Sequence, residues 1–178
     1  MPHRFFQDFR TDLSFRLPKP GWYGAGLVFL PTDPEARYQF EWMFEQVIEE
    51  EGQRVLGWRT VPTVSTMLGL SAKASEPVIR QVFIGRNEQL PDAMSFERKL
   101  YVIRRRIESE VCELGIPEGS GFYVCSLSHR TIVYKGMLKS DQLLPFYPDL
   151  QNPAMDTALA MVHSRFSTNT FPTWARAH

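Results

Sequence analysis

One segment concentrates the groups able to grip a small polar molecule. His163-Ser164-Arg165-Phe166-Ser167-Thr168-Asn169-Thr170-Phe171-Pro172-Thr173-Trp174 sets a guanidinium among hydroxyls and an amide. Arginine offers a planar fork that matches a carboxylate, and serine, threonine and asparagine add hydrogen bonds. An apolar, strand-like run from Thr157 to Val162 leads into this segment, so the polar tip is expected at a strand end. Taken alone, the same residues also fit a strand end with a local Ser/Thr turn and Arg165 in a salt bridge.

The other reactive side chains fall into weaker patterns. Cys112 is placed on a helix and Cys125 inside an apolar strand, where free cysteines are most often core residues. A nucleophilic thiol needs a base and an accessible, electropositive setting. His129 is only four residues from Cys125, but a strand carries it away, and His163 is the histidine left to approach in space. The four histidines show no metal-ligand spacing with one another or with the cysteines. Gly21, Gly24 and Gly26 open a strand rather than a helix, which speaks for close backbone packing and against a phosphate loop. Arg104-Arg105-Arg106, with Glu108 and Glu110 following, reads as a solvated helix face.

These groups need a scaffold, and 178 residues suffice for one domain. The 20 basic and 20 acidic side chains cancel, so no long-range field draws the chain to nucleic acid or an anionic membrane. No apolar run is long enough for a membrane span, and the N-terminus lacks the pattern of a signal peptide. A reducing cytoplasm is the expected setting for two unpaired cysteines.

Hydrophobic periodicity predicts a helix over residues 3–10 and a buried strand over 23–30. A long helix follows, capped by Asp33 with Pro34 in its first turn and ended by Gly52. Strands are expected at 55–61 and 78–84, with a helical turn near Met67 between them. A second long helix over about 95–114 carries the stripe Phe96, Leu100, Ile103, Ile107, Val111 and Leu114, and Gly115 closes it. A fourth strand over 122–127 turns at Ser128-His129-Arg130 into a fifth over 131–137. A short helix near 140–146 precedes the final strand, 157–162. Trp22, Trp42 and Trp58 are expected in the core or between packed layers. The order strand, helix, strand, strand, helix, strand matches a split βαβ, ferredoxin-like lobe over about residues 22–128. A strand hairpin and the ligand-site strand then occupy about residues 122–178.

Several stretches in one order resemble the N-terminal glutaminase domain of large-chain glutamate synthases. His163 to Trp174 looks like the motif H-x-R-F-S-T-N-T-x-P-x-W. Leu56-Gly57-Trp58-Arg59-Thr60-Val61-Pro62 is similar to L-G-W-R-x-V-P. Phe122 to Ser128 with Arg130 to Met137 resembles F-Y-V-C-S-x-S-x-R-T-I-V-Y-K-G-M. Phe146 to Leu150 is similar to F-Y-x-D-L, and Pro2-His3-Arg4-Phe5-Phe6 to P-H-x-F-F. The likeness spans essentially the whole chain.

The resemblance implies a class II glutamine amidotransferase with the N-terminal-nucleophile (Ntn) hydrolase fold, an α+β architecture of αββα sandwich type, of which this chain is a part. In that family an N-terminal cysteine attacks the amide of L-glutamine and ammonia passes to a distant site, where 2-oxoglutarate becomes glutamate with the help of FMN and an iron–sulfur cluster. By position, Arg165 grips the α-carboxylate of glutamine, and Phe166, Thr168 and Asn169 complete that wall. The departures concern catalysis. The chain begins with Met1, and the family's H-R-G-G, D-G-A-G and N-G-E-I-N-T segments are not in it, so nucleophile, base and oxyanion donors are missing. The resemblance therefore implies an internal fragment that needs the remainder of the glutamate synthase chain and is inactive alone. Two other readings stand beside it: a free-standing, non-catalytic ferredoxin-like binding module, and a hydrolase built on Cys125 and His163.

Overall fold

The computed structural model describes residues 1–8, 15–114, 121–164 and 171–177. Helix α1 (His3–Asp8) precedes strand β1 (Tyr23–Leu30) and helix α2 (Pro34–Glu50). Strand β2 (Arg54–Thr60), a 3₁₀ turn (Ser65–Met67), the short helix α3 (Leu70–Ala74) and strand β3 (Val78–Gly85) come next. Helix α4 (Ala93–Glu113), strand β4 (Tyr123–Ser128), helix α5 (Leu143–Phe146) and a 3₁₀ turn (Pro148–Gln151) complete the elements.

The four strands form one antiparallel sheet in the order β2-β3-β1-β4. The sequence path explains that order. β1, α2 and β2 leave a strand-wide gap that β3 fills, while β3, α4 and β4 leave a gap that β1 fills. Both central strands are therefore covered on two faces, which is why β1 reads as an unbroken apolar run and is buried along its length.

The two long helices begin as their sequences dictate. The Asp33 carboxylate accepts from the Ala36 amide at 2.8 Å and Asp92 accepts from Ser95 at 2.6 Å, each satisfying an amide at a helix start. Gly52, at φ +70°, turns the chain after α2. α4 buries Phe96, Leu100, Ile103, Ile107 and Val111 against one sheet face, together with Phe40, Phe44, Val47 and Ile48 of α2. Arg104 and Arg105 pair with Glu108, and Arg106 with Glu50, Glu51 and Glu110. The basic triplet is thus an ion-paired helix face.

Gly24 and Gly26 let neighbours approach the helix-facing side of β1. A Cβ at Gly26 would lie 2.8 Å from the Ser126 carbonyl oxygen and 2.8 Å from Leu127 Cδ1. Because the oxygen belongs to a paired strand, it cannot yield cheaply. Gly26→Ala is expected to cost about 1–3 kcal/mol through overpacking, measured as a shift in the urea midpoint with unchanged slope. At Gly24 the nearest atom is instead the flexible end of Leu100, 2.6 Å away.

The opposite sheet face is covered without long helices. Phe5 and Phe6 of α1 pack on Tyr23, Ala25 and Phe83. Leu27, Phe29 and Ile79 meet Phe146, Tyr147 and Trp174. The described residues contain this single sheet, with α2 and α4 on one side. No helix among them is long and apolar enough to cross a membrane.

Four sequence expectations change. Residues 131–137 do not form a fifth strand and 157–162 do not form a final one. The first run leaves β4 because side chains take its amides: Ser128 Oγ accepts from the Arg130 and Thr131 amides, and Ser126 Oγ from Val133. It crosses the sheet face, where the rings of Tyr134 and Tyr147 meet edge to face at 5.0 Å. The run 157–162 finds no strand partner among the described residues and stays exposed. Trp42 is 53% exposed and Leu114 60% exposed, so neither belongs to the core. Trp58 does pack, edge-on to Phe44 at 5.7 Å, while its ring N–H donates to Glu45 at 2.8 Å. Gly115, Phe9 and Arg10 lie outside the described residues.

Candidate functional site

Arg165, Phe166, Thr168 and Asn169 lie outside the described residues, whereas both flanks of their motif are described. On the approach, His163 and Ser164 are exposed and border a cavity of about 290 Å³. Val133, Tyr134, Lys135, Gly136, Leu143 and Ala177 also line it. The structure therefore brings the 131–137 run and the two ends of the motif to one place, although neither run is a strand.

Beyond the tip, Phe171 is 91% exposed and Trp174 only 5%. The Trp174 ring N–H donates to the Ala72 carbonyl of α3 at 3.0 Å. Its ring stands edge-on to Phe29 at 5.8 Å and lies 5.6 Å from Phe146. Lys135 donates to the Ala175 carbonyl at 2.8 Å and sits 4.4 Å over the Tyr123 ring. Burial lowers the Lys135 pKa from the ordinary lysine value.

Next to these residues is a buried polar group that sequence reading did not pair. The Arg59 fork donates to both oxygens of Asp149, at 2.6 and 2.9 Å, and to the Gln81 side-chain oxygen at 3.1 Å. Tyr134 donates to the same carboxylate at 2.8 Å, and Tyr147 donates to the Lys135 carbonyl at 2.8 Å. Arg59 and Asp149 each stand as one charged residue in an apolar stretch. That is the available signal, since a charge placed in an apolar run needs a partner. Nothing local shows that the partner is 90 residues away.

The thiols do not form a nucleophilic site here. Cys125 is buried on β4, and desolvation pushes its pKa far above the ordinary thiol value. His129 stacks on Phe96 at 5.9 Å, its backbone amide donates to Glu97 at 3.0 Å, and burial lowers its pKa. His163 is exposed on the approach to the motif, so the pairing of a buried thiol with an accessible base is not realised. Cys112 is exposed on α4.

A larger cleft, about 690 Å³, opens between the start of α2 and residues 74–77. It holds none of the predicted site residues. Its carboxylates, Asp33 and Glu76, disfavour the phosphate of a cofactor such as FMN, and Asp33 already caps the helix amide that a phosphate would use. Among the described residues no three His, Cys, Asp or Glu side chains converge to hold a metal ion. An iron–sulfur cluster does not fit two cysteines in such different settings.

Comparison with known proteins identifies the family of the chain. The family model described as "Glutamine amidotransferases class-II" matches residues 1–178. The glutamate synthase [NADPH] large chain of Bacillus subtilis is 49% identical over 178 residues, covering all of this chain and 11% of the relative. The corresponding chain of Azospirillum brasilense is 40% identical over 178 residues, 99% of this chain and 11% of the relative. Ferredoxin-dependent glutamate synthase 1 of Arabidopsis thaliana is 42% identical over 156 residues, 86% of this chain and 9% of the relative. The chain thus spans about a tenth of the length of these relatives. With a family match along its whole length, the chain belongs to the class-II glutamine amidotransferases.

Proposed function

We propose that these residues are part of the glutaminase domain of a glutamate synthase large chain, which hydrolyses L-glutamine to glutamate and ammonia for reductive transfer to 2-oxoglutarate. The observation that carries this reading is the unbroken run His163 to Trp174 in a chain 49% identical along all of its residues to such a large chain. Residues 1–178 then form a partial amidotransferase domain: a ferredoxin-like lobe over about 22–128, and a glutamine-site region reaching to 178. The antiparallel sheet, with α2 and α4 on one face, is one half of the αββα sandwich of an Ntn hydrolase.

The division of labour follows from the side chains. Arg165 grips the α-carboxylate of glutamine through its fork, and Phe166, Thr168 and Asn169 close the wall around the amino-acid end. The nucleophilic cysteine, its α-amino base and the oxyanion donors come from polypeptide outside these residues. FMN and the iron–sulfur cluster likewise belong to other segments of the parent and would supply the electrons for the reductive step there. The cytoplasm is the compartment proposed for it.

Arg165 tests the assignment in the complete enzyme. Arg165→Ala is expected to raise the KM for glutamine about 100-fold, because a carboxylate grip rests on charge-assisted bonds worth up to about 3 kcal/mol. Arg165→Lys is expected to lose most of the same affinity, since a point charge does not reproduce a bidentate fork. Unchanged glutamine affinity in Arg165→Ala rejects the assignment.

A further inference from the structure

Charged residues make up 22% of the chain, yet Val61 to Ala72 and Gln142 to Pro148 contain no Asp, Glu, Lys or Arg. In β1 burial explains such a run. Here it does not, because Leu70 is 90% exposed and Val64, Met67 and Leu144 are exposed as well. Hydrogen bonds hold the two stretches side by side. The Val64 amide donates to the Phe146 carbonyl at 2.9 Å, and the Gln142 side-chain amide donates to the Met67 carbonyl. The first 3₁₀ turn and α5 therefore present their apolar side chains together, with Leu70 at the first position of α3.

The support of this patch is fixed. Ser65 Oγ donates to Glu76 at 2.7 Å, and the Ala72 carbonyl accepts from the Trp174 ring at 3.0 Å. Leu68 and Leu143, from the same two stretches, pack into the core. Lys73 and Asp141, at one end of each stretch, are exposed as a polar rim would be. Single exposed apolar side chains need no explanation, but a contiguous group of on the order of a few hundred Å² is often an interaction site. A centre free of charge with charges at the rim is also the anatomy of an interface.

Two occupants suit an apolar, uncharged surface: another part of the same polypeptide, or a second copy. The relatives favour the first, since the chain spans about a tenth of their length. A tethered surface meets the patch at an effective concentration of about millimolar, without needing a second molecule. Nor does the centre of the patch hold charges that would fix the register of a second copy. We propose that Val64, Met67, Leu70 and Leu144 form the docking surface for a further part of the parent polypeptide, outside residues 1–178. That part covers them with an apolar surface of its own. The proposal rests on the reading of these residues as a piece of a glutamate synthase large chain.

The experiment places the photoreactive residue p-benzoylphenylalanine at position 70 of the purified complete glutamate synthase chain, and at position 144 in a second variant. Irradiation followed by peptide mass mapping identifies what each probe captures. Capture within the same polypeptide, at a residue outside 1–178, is the expected result. A covalent dimer assigns the face to a second copy, and capture inside 1–178 means that the domain covers its own patch. No capture at either position leaves the patch in water. Each of these three results overturns the docking.

Leu70→Glu combined with Leu144→Glu gives an independent measurement in the same complete chain. On an uncovered surface two such exposed changes have little effect. Against a docked apolar surface they place two carboxylates in the contact, and limited proteolysis of the complete chain is expected to run about tenfold faster or more. An unchanged cleavage rate also overturns the docking. The glutamine reading fails separately: unchanged KM in Arg165→Ala rejects the grip and leaves the cross-link result as it is, while a failed cross-link leaves the grip standing.

Discussion

Replacing Asp149 with alanine is expected to destabilise the fold by about 3–5 kcal/mol, the cost of removing one member of a buried ion pair. The Arg59 and Asp149 side chains are 6% and 3% exposed, and their closest N–O distance is 2.6 Å. Removing the carboxylate takes both acceptor oxygens from the Arg59 fork and the acceptor from Tyr134 at once. Among the contacts the guanidinium would keep are its bond to Gln81 and its place 5.5 Å from the Phe5 ring, neither of which neutralises its charge. Asp149→Asn keeps the shape and one acceptor, so it should cost less. The double variant Arg59→Met with Asp149→Leu should recover much of the loss, since an apolar pair of similar volume can replace a buried salt bridge with little or no cost. Urea unfolding of the three variants checks the order. Loss below about 1 kcal/mol in Asp149→Ala would mean that the pair is hydrated and contributes no more than a surface bridge.

That pair also marks where sequence reading stops. β1, α2, β3 and α4 are legible because their signals are local: Asp33 before Pro34, the helical spacing of Phe96, Leu100, Ile103 and Ile107, and the unbroken apolar run from Tyr23 to Leu30. Even the interleaving of the strands is implied by the order of elements. The two runs misread as strands have strand-like composition as well. Composition reports which residues suit an extended chain, whereas pairing depends on which edge is free and which side chains compete for the amides. At 131–137, Ser126 and Ser128 take up amides that a hairpin would need. At 157–162, Leu159, Met161 and Val162 are 77–91% exposed, so the pattern is present and its cover is not among the described residues. In the site, the residue types of the proposed grip can be named from the motif. The anchoring of the segment that follows it cannot, because Lys135 to Ala175 and Trp174 to Ala72 join positions 40 and 102 residues apart.

A polypeptide of Met1 to His178 is expected to release no ammonia from glutamine above the uncatalysed background. The chemistry proposed for the parent needs a thiolate and a free α-amino group on the same residue, and neither cysteine meets that demand. Cys125 is held within β4, where burial raises its pKa and keeps it protonated at neutral pH. Cys112 is exposed, but it lies inside α4 with its nitrogen in a peptide bond. The free amine of this polypeptide is that of Met1, which carries no thiol and donates to the Arg130 carbonyl at 2.8 Å. Loss of a nucleophile alone lowers turnover by about a millionfold in a well-studied hydrolase, and here the base is missing with it. The carboxylate grip proposed for Arg165 is a separate matter, because a grip on the amino-acid end leaves the amide bond untouched unless donors meet the charge that develops at the carbonyl oxygen. An ammonia assay on the purified polypeptide, with the complete enzyme run beside it, checks this. Ammonia release that disappears in Cys125→Ser would overturn the argument, since it would mean that the buried thiol becomes accessible and finds a base.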